Sequence, residues 1–281
     1  MNLQGRDEKI GGQERVRRLE VIARHPARIH MEIPDGIVLI GSDAHYWPGL
    51  PRSTAHSAFV RLLQTLNPTA VILNGDIIDA PTASVHPSIG WEKRPALAEE
   101  IGAAQERLRE IRRVTCFDAR CIWTLGNHDL RFETYLARVA PEYHGVFGIH
   151  LKDHFPNWEP AWDCWINGIV SIKHRWHTGI HAARNNTLGA GISMVTGHLH
   201  SLKVWPHTNY LGTTYGVDSG TLAVPYGPQF YNYTEGNPVD WRAGFVVLTF
   251  VDGLMLPPEL LTVMDEEARL TAFRGILYTE D

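Results

Sequence analysis

Three times in the first half of the chain, a short run of apolar and β-branched residues ends in a polar cluster and gives way to a helical period. The runs are IVLIGSDAH (37–45), AVILNGDIID (70–79) and CIWTLGNHD (121–129). Their length and composition read as strands. Between the first two, Phe59, Leu62, Leu63 and Leu66 recur at helical spacing until Asn67-Pro68 stops them. Between the second and third, Leu97, Ile101, Ala104, Leu108 and Ile111 do the same behind Pro95, and the period resumes over 131–140. Strands alternating with helices pair in parallel, so the chain is expected to be α/β.

The second half reads differently. Residues 141–168 hold many aromatics, prolines and glycines without a period, and are expected as an insertion or cap over a site. IVSIKH (169–174), ISMVTGHLH (192–200), YGVDSGTLAV (215–224) and GFVVLTFVDG (244–253) read as further strands with little helix between them. Residues 13–24 carry Val16, Leu19 and Ile22 at helical spacing among arginines, an amphipathic helix expected to pack on the main body. No repeat, low-complexity tract or linker divides the sequence, so residues 1–281 are expected to form one domain with a second sheet.

Composition limits the function classes. The formal charge of −5 argues against nucleic-acid binding through a global positive field and leaves room only for a local site. No run of about eighteen apolar residues exists and the N-terminus lacks the apolar stretch of a secretory signal, so a soluble cytoplasmic protein without a membrane association is the default expectation. Cys116, Cys121 and Cys164 fit neither a disulfide framework nor a zinc ribbon and are expected as reduced core residues. The unusual count is histidine, at fifteen.

Many of those histidines stand where the apolar runs end. The clusters are Asp43-Ala44-His45, Gly75-Asp76 with Asp79, Gly126-Asn127-His128-Asp129, His174, and Gly197-His198-Leu199-His200. In open α/β sheets, ligands bind beyond the carboxyl ends of the strands, so the clusters are expected on one edge. The i, i+2 spacing of Asp43/His45 and of His198/His200 would aim each pair to one side of an extended chain, and the glycines would permit tight backbone just before the donors. Imidazole, carboxylate and amide donors without thiolate suit Mn, Fe, Zn, Co or Ni. Asp43, His45, Asp76, Asn127, His174, His198 and His200 are too many for one ion, so two divalent ions, Mn²⁺ foremost, are expected. Such a centre keeps net positive charge and attracts a phosphate ester.

The order D-x-H, GD-x-x-D, GNHD, H, GH-x-H resembles the calcineurin-like metallophosphoesterase superfamily over residues 37–252. That resemblance implies a four-layer α-β-β-α sandwich of two mixed sheets flanked by helices. It implies a hydrolase in which Asp43, His45 and His200 bind one metal, Asn127, His174 and His198 the other, and Asp76 bridges them. A hydroxide shared by the two ions would attack phosphorus, and His128, oriented by Asp79, would protonate the leaving oxygen. The family usually follows the lone histidine with glycine, whereas Arg175-Trp176-His177 follow here, so His177 rivals His174. Asp129 reads equally as a helix cap or a turn-former.

Ala80 after Asp79 and Asp129 after His128 depart from the protein Ser/Thr phosphatase pattern and look more like the phosphodiesterase and nuclease branches. A phosphodiester substrate, nucleotide or nucleic acid, is expected. A phosphomonoesterase and a non-catalytic scaffold of this fold that binds partner proteins remain the alternatives, and a homo-oligomer stays open. Substrate contacts are sought at Arg131, Tyr46, Trp47, the loop 86–94 and the aromatics from Trp205 to Tyr233, with core packing as the competing role of the aromatics.

Overall fold

The computed structural model describes residues 26–85 and 94–281. The expected helix over 13–24 and all of the 86–94 loop but Arg94 lie outside the described residues. The elements in chain order are β1 (Arg28–Met31), β2 (Gly36–Gly41), α1 (Thr54–Leu66), β3 (Ala70–Asn74), α2 (Leu97–Val114), β4 (Arg120–Thr124) and α3 (Asp129–Val139). Then follow α4 (Leu151–His154), β5 (Glu159–Ala161), β6 (Asp163–Ile166), β7 (Val170–Ile172), α5 (Ala182–Ala190), β8 (Ser193–Thr196), β9 (Leu202–Asn209) and β10 (Gly212–Ser219). The chain closes with α6 (Tyr231–Thr234), β11 (Gly244–Val251), β12 (Leu254–Met255), β13 (Glu259–Asp265), β14 (Leu270–Phe273) and β15 (Ile276–Thr279).

Two mixed sheets result. One runs β15-β14-β13-β11-β2-β3-β4-β5 with β12 beside β11, and the other β1-β6-β7-β8-β10-β9. β2, β3, β4 and β5 pair in parallel, as the crossover helices α1 and α2 require. Alternation within each strand feeds two cores. Leu39, Val71, Leu73 and Trp123 pack with Phe59, Leu62 and Leu108 of the helices, while Val38, Ile40, Ile72 and Ile122 pack with Ile166, Ile172, Val195 and Val217 of the opposite sheet. Because both faces are buried, these strands read as continuous apolar runs. With α1 and α2 on one outer face and α5 on the other, the layers are α-β-β-α.

Local chemistry sets the element ends. Ser53 Oγ accepts the His56 amide at 3.1 Å and caps α1, which stops at Asn67 in the left-handed region before Pro68. The strands are shorter than the apolar pattern predicts: β2 ends at Gly41, β3 at Asn74 and β4 at Thr124, so the polar clusters lie in loops, apart from Asp129, which opens α3. Two expectations need correction. Residues 141–168 are not wholly a cap, since β5 pairs with β4 and β6 with β1 and β7; these strands are too short to show a period. Cys116 is exposed, whereas Cys121 and Cys164 are buried, and all three are free. No helix among the described residues is long and apolar enough to cross a membrane.

Candidate metal centre

The loops after β2, β3, β4, β7 and β8 meet on one rim, tied by their own backbones. The Asp43 amide donates to Gly75 O at 3.0 Å, the His45 amide to Asp76 O at 2.9 Å, and the Gly197 amide to His174 O at 2.9 Å. The His198 amide, donating to Asp43 Oδ2 at 3.0 Å, pins the loops of the two sheets to each other. The chain there is not extended, contrary to the i, i+2 expectation: Asp43 (φ 50°), His45 (38°), Asp76 (52°), His198 (72°) and His200 (53°) all adopt positive φ. Such backbone is uncommon outside glycine and concentrates at functional sites.

Among the cluster glycines, only Gly75 needs its conformational freedom, at φ 81°. Gly126 and Gly197 serve close approach instead. A Cβ on Gly126 would overlap the Asp76 carboxylate and amide, and one on Gly197 would overlap Ser42 Oγ and lie 2.6 Å from Asp43 Oδ2.

Three groups of side chains bring donor atoms within 4.8 Å of one another: Asp43, His45 and His200; His45, Asp76 and His128; Asp76, His174 and His198. Asp76 stands between two of them. Its Oδ2 is 3.1 Å from His174 Nε2 and 3.9 Å from both His45 Nε2 and His128 Nε2. His200 Nε2 lies 3.2 Å from Asp43 Oδ1, and Asn127 Oδ1 lies 3.2 Å from His174 Nε2. His174 Nδ1 faces the Asn74 carbonyl at 2.8 Å, which fixes its ring. His177 is left outside: it is exposed, stacked on Trp176, and its amide is bound by Asn186.

The donor set fits divalent cations. His45 Nε2 and His200 Nδ1 are buried with no hydrogen-bond partner among the described residues. Asp43, Asp76, Asp79 and Asp129 are all buried, a concentration of carboxylate that demands positive charge. In the metal-free chain the imidazoles supply it. Burial alone would raise Asp76, but the charges of His174, His128 and His45 outweigh it and hold the carboxyl well below the usual range. Burial opposes protonation of His174, yet Asp76 and Asp43 push it up to about 10. A bound dication would take the place of that proton. Burial and the charge of His174 press His198 down to about 4, and burial lowers His45, leaving both neutral as ligation requires.

Beside this cluster, His128 Nδ1 lies 2.8 Å from Asp79 Oδ1. The same oxygen is 3.1 Å from His45 Nδ1. Burial would lower His128, but Asp76 and Asp79 outweigh it and raise its pKa. Arg131 leans over the pair: its Nη1 donates to Asp79 O at 2.9 Å and to the Tyr233 hydroxyl at 3.2 Å, and its Nη2 is 3.4 Å from His128 Nε2. Tyr46 is not brought to the site. It is buried in the helix-side core with its hydroxyl 3.0 Å from His56 Nδ1. Trp47 is half-buried and lines a small cavity with Tyr46.

Several residues shape the site without belonging to the donor set. Asp129 accepts from the amides of Asp76, Ile77 and Gly126 at 2.9, 2.9 and 3.0 Å and from Trp123 Nε1 at 3.0 Å, so it shapes the loop that carries Asp76 rather than capping α3. Glu100 Oε2 accepts the amides of Asp79 and Ala80 at 3.0 and 2.9 Å. The Phe230 ring packs against His45 and His200 at 5.0 and 5.2 Å, and Trp241 against His200 at 4.3 Å. Phe230, like Tyr233, falls within the aromatic segment singled out from sequence, and Trp241 lies beyond it.

Two facing mixed sheets with oxygen and imidazole donors at their common rim define an α/β metal-binding protein. The chain belongs to the calcineurin-like phosphoesterase family, whose model matches residues 37–210. No curated protein sequence matches it. Among solved structures it is similar to a single-mutant form of Vps29 from Entamoeba histolytica, at 13% identity and TM-score 0.44, over 86% of this chain and 99% of that one. Wild-type Vps29 from the same organism, complexed with zinc, follows at 12% identity and TM-score 0.41, over 86% and 96% of the two chains. The nuclease MPE of Pseudomonas putida aligns at 13% identity and TM-score 0.34, over 78% and 86%. Family and donor cluster together support a metal-dependent phosphoesterase.

Proposed function

We propose that this protein hydrolyses a phosphodiester, nucleotide or nucleic acid, with two divalent ions, Mn²⁺ foremost, and with His128 as general acid. The observation that carries the reading is the Asp79–His128 pair, 2.8 Å apart and set against the donor cluster. Asp43, His45 and His200 would hold one ion, Asn127, His174 and His198 the other, with Asp76 between. When bound, the ions supply Lewis acidity toward the phosphoryl oxygens and an acidified water as nucleophile.

The side chains do the rest. Asp79 accepts from His128 Nδ1 and keeps the imidazole protonated, which leaves Nε2–H as the proton for the departing alkoxide. Arg131 carries one guanidinium to His128 Nε2, matching the single negative charge of a diester phosphoryl group. The Tyr233 hydroxyl, 3.2 Å from Arg131, holds that guanidinium against the pair. Phe230 and Trp241 wall His45 and His200 with rings and exclude water from that side.

Turnover of bis-p-nitrophenyl phosphate with Mn²⁺ tests the reading. His128→Ala is expected to lower the rate by about 10² to 10⁴ with metal content unchanged. Absence of turnover with every divalent ion would favour a binding scaffold, faster turnover of p-nitrophenyl phosphate would make the protein a monoesterase, and a fully active His128→Ala variant would remove the assigned acid.

A further inference from the structure

Between Asp163 and Asp218 the chain has no aspartate or glutamate, and between Asp218 and Glu235 it has none again, although 31 such residues are spread over the whole 281. The lone carboxylate, Asp218, is buried and held by Ser201 at 2.8 Å, Thr196 at 3.1 Å and Lys203 at 3.5 Å. The same stretch carries Lys173, Arg175, Arg184 and Lys203. A protein of net charge −5 therefore keeps this segment, α5 and β9 included, free of surface carboxylates of its own. The segment reaches the centre, because Arg175 directly follows His174 of the donor cluster.

Flat rings are laid out along this segment. Trp176 and His177 stack at 4.8 Å and 21°, and Trp176 is 44% exposed over α5 at Gly189, where a Cβ would come within 3.1 Å of the indole. On the strand next to α5, Trp205 and His207 stack at 5.5 Å and 11°, with the Arg184 guanidinium 5.5 Å over the Trp205 ring. Lys203 Nζ donates to Ile180 O at 3.3 Å and binds β9 to the loop that carries the first ring pair. Arg175 and Arg184 are exposed and form no ion pair among the described residues. Cations without carboxylates suit a polyanion, and solvent-facing rings held rigid suit unpaired bases, since every base has a π-face whatever its sequence. A duplex keeps its bases stacked on one another and gains nothing from the rings.

We propose that residues 175–177, α5 and β9 form a track for single-stranded nucleic acid leading to the metal centre, with Arg175 and Arg184 on phosphates and Trp176 and Trp205 under bases. The proposal rests on the phosphodiesterase reading only for what happens at the end of the track.

The test is a binding measurement in the His128→Ala background, so that the strand is not cut. Fluorescence anisotropy would follow a labelled oligothymidine of about 15 nucleotides across a salt series. Arg175→Gln and Arg184→Gln are each expected to weaken binding and to reduce the slope of log K against log salt by about 0.7. Trp176→Ala and Trp205→Ala are expected to weaken it about fivefold or more without changing the slope. The arginine variants, at exposed positions, keep the test decisive if Trp205→Ala fails to fold. Binding unchanged by all four substitutions, no binding at low salt, or a duplex of equal length bound as tightly would overturn the track. Bis-p-nitrophenyl phosphate hydrolysis with His128 intact is read in parallel. Hydrolysis without track-dependent binding defeats the track alone, and track-dependent binding without hydrolysis defeats the catalytic reading alone.

Discussion

Glu100 shows how a residue outside the donor set controls it. Its carboxylate fastens the amides of Asp79 and Ala80, and so the position of the carboxylate that faces His128. Burial pushes Glu100 up to about 7, and the charge of Asp79 adds to the effect. In the unfolded chain the group titrates near 4.5. Between those values the folded protein retains a proton that the unfolded chain has lost. The stabilising effect is full below pH 4.5 and is lost as pH rises through 7, a change of about 3 kcal/mol. Urea unfolding of metal-free protein across this window is expected to show that decline, and Glu100→Gln is expected to flatten it; an equal slope in both would remove Glu100 as its source. Glu100 carries no signal in the sequence, and for Asp129 only a cap or turn-forming role is legible, not its partners. Asp129 reaches back 53 positions to the Asp76 amide, and no spacing announces a carboxylate whose partners are backbone groups of another loop. Asp43, His45 and His198 were legible because their donors stand directly after apolar runs.

At the scale of elements, the loops matter more than the strands they follow. The sequence supports α1, α2 and the three parallel strands because caps, prolines and apolar periods agree there. It hides α5, whose AARNNTLGA reads as a polar loop until Asn186 and Thr187 are buried against β8 and β10. It also hides β13, β14 and β15, which extend the larger sheet as an antiparallel edge with mixed burial. Glycine at the loop entry has a sharper role than turn-making. Gly126→Ala would set a methyl group into the Asp76 carboxylate. The expected result is metal affinity lowered about 10- to 100-fold with far-UV dichroism retained, as for other disturbances behind a metal ligand. Calorimetric metal titration measures it, and affinity equal to the parent's would show that the loop has slack which the packing does not suggest.

The whole molecule is arranged so that donors from both sheets share one rim. The order of the clusters along the chain is visible in the sequence, but their pairing across two sheets is not. Strands buried on both faces carry no mark of which face meets helices and which meets the other sheet. The charge layout belongs to this scale as well: buried carboxylates gather at the rim while residues 164–234 carry no exposed one. The central claim is that Asp76 stands between two cations. Anomalous diffraction at the manganese edge, from crystals grown with Mn²⁺, is the most direct measurement. The account predicts two peaks about 3.5 to 4 Å apart on either side of the Asp76 carboxylate. A single peak, or none among these side chains, would contradict it.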